Sequence, residues 1–151
     1  MTTAQIIAKY GKPGESQLTT IKLPYPMRIA WDPKTTVKTI RCHKLVANQL
    51  TAIFGEILAH YGLAEIQRLG IDLFGGCYNF RHMRGGSDWS RHSWGIAIDL
   101  DPARNQLKWG KDKAQFAKPE YNKLHEIFEK NGFINLGKTK GFDFMHWEAG
   151  S

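Results

Sequence analysis

Apolar positions recur along this chain with two different periods. Between about Val37 and Tyr61, the residues Val46, Leu50, Ile53, Phe54, Ile57, Leu58 and Tyr61 repeat at i, i+4, i+7 and i+8, which places them on one helical face. The spacing predicts a core helix over that span, stopped at Gly62. A shorter helix is expected over residues 3–10, ended by the turn-forming "YGKPGE". Another starts near Pro119, turns Tyr121, Leu124, Ile127 and Phe128 inward, and ends at Asn131-Gly132. Shorter alternating or apolar runs read as strands: "MRIAW" at 27–31 before a turn at Asp32-Pro33, "IDLFGGCYNF" at 71–80, "GIAIDLD" closed by Pro102, and two pieces near 133–136 and 144–148. Mixed order and a hairpin-like tail predict an α+β fold, a small antiparallel sheet packed against helices.

With 151 residues and no internal repeat or linker, a single domain over 1–151 is expected. The two cysteines, Cys42 and Cys77, form no CxxC pattern and are read as free, mostly buried thiols. The N-terminal stretch lacks the basic and apolar regions of a secretory signal, and no apolar run approaches the ~20 residues that span a bilayer. Synthesis in the cytoplasm without a signal peptide, and no transmembrane segment, are the expectations. A net charge of +7 favours a polyanionic partner. The basic residues are scattered, however, and aromatic interleaving of the RNA-binding kind is missing, so nucleic acid is not expected.

Chemistry concentrates in "SRHSWGIAIDLD", residues 90–101. Side chains alternate along a strand, which puts Gly95, Ala97 and Asp99 on one face and the apolar Ile96, Ile98 and Leu100 on the other. The first face reads as cleared for something that sits close to the backbone, with His92 able to swing over it. A buried Asp satisfied by a neighbouring His or Arg explains the same spacing equally well. The C-terminal "GFDFMHWEAG" adds His146, and with it the two-imidazole, one-carboxylate set common at catalytic zinc, which leaves a fourth position for water. Asp143 is then placed to move the water proton. In a flat strand, residues 143 and 146 face opposite ways, so this reading requires a bend between them. His43 is taken as a packed structural histidine; His60, His82 and His125 receive no role.

The blocks Ser90-x-His92-x-x-Gly95-x-Ala97-x-Asp99 and Asp143-x-x-His146 resemble the M15 zinc peptidases of the LAS group. "FGGCYNFRHMRGG", "FAKPEY" and "LGKTKGFDFMHW" also look like blocks of its phage branch, and the resemblance runs from about Met27 to Trp147. It implies a Hedgehog/DD-peptidase-like fold with one zinc ion held by His92, Asp99 and His146. It also implies Asp143 as general base and acid, Ser90 as a substrate contact, and an upstream arginine that binds a substrate carboxylate and polarises the site. Arg81 is chosen for that role, with Arg84 second. Asp101 shares the strand parity of Asp99, but family spacing favours Asp99 and Pro102 assigns Asp101 to the following turn. Glu148 follows His146 on one face; it either orients that imidazole or faces solvent, and the solvent-facing reading is preferred.

The resemblance implies a peptidase of bacterial peptidoglycan, and nothing in the sequence requires more than a monomer. Cleavage of an L-alanyl-D-glutamate bond by a phage endolysin, released from the host cytoplasm onto the wall, is the first reading. A D-alanyl-D-alanine carboxypeptidase is the alternative, and a non-catalytic wall-binding module ranks below both because Asp143 is present.

Overall fold

The computed structural model describes residues 1–150. A first helix, α1 (Thr3–Tyr10), begins with a reciprocal capping box between Thr2 and Gln5, which satisfies two backbone donors that a helix start leaves open. It is followed by a long hairpin of two 12-residue strands, β1 (Leu18–Ile29) and β2 (Asp32–His43). The pairing runs from Leu18↔His43 to Ile29↔Asp32, and it slips between Lys22 and Met27. Pro24 and Pro26 lie in that slip and have no N–H to give to a ladder.

This hairpin corrects two expectations. The strand expected at 27–31 is the end of a strand that starts at Leu18, and the turn falls at Ala30-Trp31, not at Asp32-Pro33. Residues 37–43, read as the start of the core helix, are strand; the helix α2 covers Ala47–Leu69 after a short turn at Lys44–Val46. Gly62 ends the first helical segment of α2 as expected, and a second segment follows it directly. The Gly62 backbone leaves helical geometry (φ 74°, ψ 160°) and kinks the helix, which resumes because Ile66 and Leu69 return to the buried face already held by Leu50, Ile53, Phe54 and Ile57.

Beyond α2 come β3 (Leu73–Gly76), β4 (Ala97–Leu100), α3 (Asn122–Lys130), β5 (Phe133–Asn135), α4 (Leu136–Lys140) and β6 (His146–Ala149). The six strands form one sheet in the order β2-β1-β3-β4-β6-β5. The class is α+β as expected. The sheet is larger than expected, and it is mixed: β1 and β3 run parallel, joined through β2 and α2, while every other pair is antiparallel. α4 was not foreseen; at five residues it is too short to show a period.

One apolar cluster runs from Ile6 through α2 and the sheet to α3. Trp147 in β6 is fully buried and stacks on Phe128 of α3, with ring centroids 4.5 Å apart. Arg28 at the end of β1 grips buried Asp72 with two hydrogen bonds of 2.7 and 2.8 Å, which ties the hairpin to the segment entering β3. Cys42 and Cys77 are free and buried. Among the described residues, no helix is long and apolar enough to cross a membrane.

Candidate metal centre

His92 sits in a 3-10 turn, Arg91–Trp94, between the cavity-lining loop and β4. Ser90 caps that turn by accepting the His92 backbone N–H at 3.3 Å. The turn ends at Gly95 in the left-handed region (φ 71°), where the Gly95 carbonyl accepts the N–H of His43 at 2.9 Å. A Cβ at Gly95 would lie 2.8 Å from Leu18 Cδ2 and 2.9 Å from His43 N. The clearing at Gly95 therefore serves the β1–β2 hairpin and not the metal face, which corrects the reason given for it from strand alternation.

Asp99 and His146 face one another across the β4–β6 register, Asp99↔His146. The bend required between Asp143 and His146 is present. Asp143 adopts φ 70°, unusual for a residue with a side chain, and its carbonyl accepts the His146 N–H at 3.2 Å just before β6 begins. Donor atoms of His92, Asp99 and His146 come within 4.8 Å of one another. His92 Nε2 is 3.2 Å from Asp99 Oδ2, and His146 Nδ1 is 3.1 Å from Asp99 Oδ1.

The outer nitrogens of the two imidazoles determine what the inner ones offer. His92 Nδ1 lies 2.8 Å from the Cys77 carbonyl, which can only accept; the proton is on Nδ1 and Nε2 is left with a lone pair. That Nε2 is buried with no hydrogen-bond partner. His146 Nε2 lies 2.8 Å from Glu148 Oε1, which by the same reasoning turns the Nδ1 lone pair of the neutral ring toward Asp99. Once the His146 ring gives up its extra proton, two lone pairs and a carboxylate converge, a donor set that fits zinc.

The electrostatics agree. Burial disfavours charge on Asp99, yet His92 and His146 outweigh it and hold the carboxyl well below its usual range. Burial also opposes charge on His146, but its bonds to Asp99 and Glu148 prevail and raise it to about 9. An imidazolium held between two carboxylates marks a place where positive charge is wanted, and a metal bound at Nδ1 would release the proton carried there. Asp143 is raised, chiefly by burial and against the lowering pull of His146 and His92, which suits a carboxyl that must both take and give a proton.

The cluster lies in a cavity of about 340 Å³ that Asp143, Ser90, Arg81 and Arg84 also line. Leu107, Leu136, Phe142 and Met145 supply apolar wall, and Arg91 and Lys140 add positive charge. A larger cavity of about 640 Å³, bordered by His125, Lys138 and Phe144, contains none of the cluster and no comparable donor set. The Arg81 loop is pinned by its backbone: Arg81 O accepts from Ser90 N at 2.9 Å and from Ser93 Oγ at 2.7 Å. Arg84 is exposed.

Other sequence readings resolve here. Asp101 is buried with a left-handed backbone, is held by Arg104 at 2.7 Å, and lies outside the cluster, in the turn as expected. Glu148 does not face solvent: its side chain is 19 % exposed and orients His146, which overturns the preferred reading. His43 is structural, with Nδ1 accepting from Leu45 N and Nε2 donating to Tyr10 O. His60 stays exposed on α2, and His125 is buried with Nε2 donating to Phe116 O. His82 packs its ring against Trp89 outside the cavity lining. Sequence reasoning passed over Arg91, which lies between two motif residues but meets Glu148 only through the β4–β6 pairing.

No curated protein and no solved structure matches this chain. Residues 84–149, a little under half of the chain, match the peptidase M15 family model described as D-alanyl-D-alanine carboxypeptidase. The matched span contains His92, Asp99, Asp143 and His146 together, and it supports the M15 peptidase family for this chain.

Proposed function

We propose that the protein is a zinc-dependent peptidase of peptidoglycan stem peptides, with the L-alanyl-D-glutamate bond as its target. The observation that carries this reading is the convergence of His92 Nε2, Asp99 and His146 Nδ1 beside Asp143 in one cavity. When bound there, zinc would lower the pKa of a coordinated water to about 7 and polarise a carbonyl oxygen. Asp143 takes the proton of the attacking water and delivers it to the leaving amine, which its raised affinity for a proton supports. Arg81, with Arg84 beside it, pairs with a substrate carboxylate, for which a planar guanidinium is suited. Ser90 keeps its capping bond to the His92 turn and offers its hydroxyl to the peptide. The apolar walls exclude water from the reacting amide. One copy of the chain supplies every group. The net charge of +7 suits an anionic wall, and a phage endolysin released from the host cytoplasm is the setting that fits this reading.

A second reading, D-alanyl-D-alanine carboxypeptidase, is favoured by the description of the matched family. Purified peptidoglycan digested with and without a chelator, followed by mass analysis, separates the two. Release of stem peptides, abolished by chelation and restored by zinc, is expected. Loss of terminal alanine alone would move the assignment to the second reading, and digestion indifferent to chelation would remove the metal from the reaction. Asp143→Asn should lower the rate ~100-fold or more while zinc content is retained.

A further inference from the structure

Arg91 is the residue between the cap Ser90 and the imidazole His92, and its side chain is only 15 % exposed. Its Nη2 donates to the Met1 carbonyl at 2.8 Å, its Nη1 is buried without a partner, and its Nε lies 3.9 Å from Glu148 Oε2. Glu148 sits opposite Ala97 in the β4–β6 register, where a methyl side chain leaves room for the carboxylate to lie over the strand. One carboxylate oxygen takes the N–H of His146 at 2.8 Å, and the other faces Arg91.

We propose that Arg91 is a positioning residue for the metal centre: it holds Glu148 so that Glu148 fixes the His146 ring with Nδ1 turned toward Asp99 and His92. This rests on the metal-site reading above. The physical requirement is specific. A half-buried carboxylate without a cation relaxes toward solvent, since desolvation penalises its charge. Once Glu148 moves, the 3.1 Å contact of Nδ1 to Asp99 is the one ring hydrogen bond of His146 left, and nothing fixes the Nε2 side of the ring. Ligand rings released in this way typically lose affinity for metal 10- to 100-fold. Arg91 is suited to the task because it belongs to the same short turn as His92, so one backbone segment sets both a ligand and the group that orients the second ligand. The contact to Met1 offers a competing account, in which Arg91 only anchors the chain start.

The two accounts differ in what they move. Zinc dissociation constants by chelator competition, melting temperatures without metal, and ¹⁵N shifts of the His146 ring with zinc bound are measured for the full chain and for Arg91→Gln, Arg91→Lys, Glu148→Ala and the double variant Arg91→Gln/Glu148→Ala. Positioning predicts that Arg91→Gln weakens zinc binding ~10-fold and Glu148→Ala ~10- to 100-fold, with Arg91→Lys recovering part of the loss. It also predicts that Arg91→Gln adds little once Glu148 is gone, and that the ring shifts report zinc on Nδ1 only while Glu148 is held. An Arg91→Gln protein that melts lower yet binds zinc as the parent does, or losses that simply add, would overturn the proposal and leave the metal site standing. Failure of the parent protein to bind zinc would overturn both.

Discussion

The two flanks of the sheet are built on different terms. On one, β1 and β2 pair along 12-residue strands and contribute nothing to the metal-ligand cluster. On the other, β4, β6 and β5 run only three or four residues, yet β4 and β6 hold Asp99 and His146 face to face. A long ladder keeps its register through many backbone bonds; a three-residue pairing cannot, and must be held by what its side chains bury. Ile98, Leu100, Phe133 and Trp147 are all fully buried and do this. The geometry of the centre is therefore a product of packing behind it more than of the ladder it sits on.

Trp147 offers the severest test of that contrast. It lies between His146 and Glu148 in β6 and stacks on Phe128, so Trp147→Ala should cost ~3–5 kcal/mol and weaken zinc binding as well. Ile40→Ala in β2 removes a comparably buried side chain and should cost ~2–5 kcal/mol while zinc affinity is unchanged. Paired melting and zinc titrations decide it; equal effects of both changes on zinc would erase the distinction between the flanks.

The flanks meet at Gly95. Gly95→Ala forces a side chain into a left-handed backbone and against Leu18 and the His43 amide, a loss of ~1–3 kcal/mol. Since the same residue ends the His92 turn, peptidase activity should fall more than the melting temperature suggests; activity that simply tracks the folded fraction would show the seam to be passive.

A smaller effect appears on acidification. Burial lowers the pKa of His43 and His125 below the ordinary 6.5. Below pH 6.5 the unfolded chain then binds more protons than the folded one, so the contribution of these groups, complete above 6.5, is lost as the pH falls toward the folded values. Melting temperature should drop between pH 7 and 5, and His43→Gln should shallow that slope without removing it, because His125 remains. A slope identical to that of the parent would exclude His43. Smallest of all, Trp31→Ala at the hairpin tip, a residue 71 % exposed, should change stability by less than ~0.5 kcal/mol and leave zinc binding alone.

The same contrast explains what could be read from the sequence. His92, Asp99 and His146 were visible because chemistry restricts residue type at fixed spacing, and the geometry brings them together as the spacing suggested. The bend at Asp143 follows from strand parity together with the reading that Asp143 and His146 serve one site. The hairpin was not, because residues 37–43 continue the apolar rhythm of the helix that follows, and strand pairing over 25 residues leaves no local mark. Gly62 does end a helical segment, but that signal alone does not show that a second segment follows directly and brings Ile66 and Leu69 to the buried face. Glu148 was on the correct face by parity, but its partner Arg91 comes from another element, and only the register of β4 and β6 joins them.

The left-handed backbone at Asp143 has a practical consequence. Asparagine is among the few side chains that tolerate such a conformation, by its short polar group, and it matches aspartate in shape. Asn at this position removes the exchangeable proton carrier with little disturbance of the turn that launches β6. Such a protein should bind muropeptides without consuming them, which makes it the form to crystallise with an intact stem peptide.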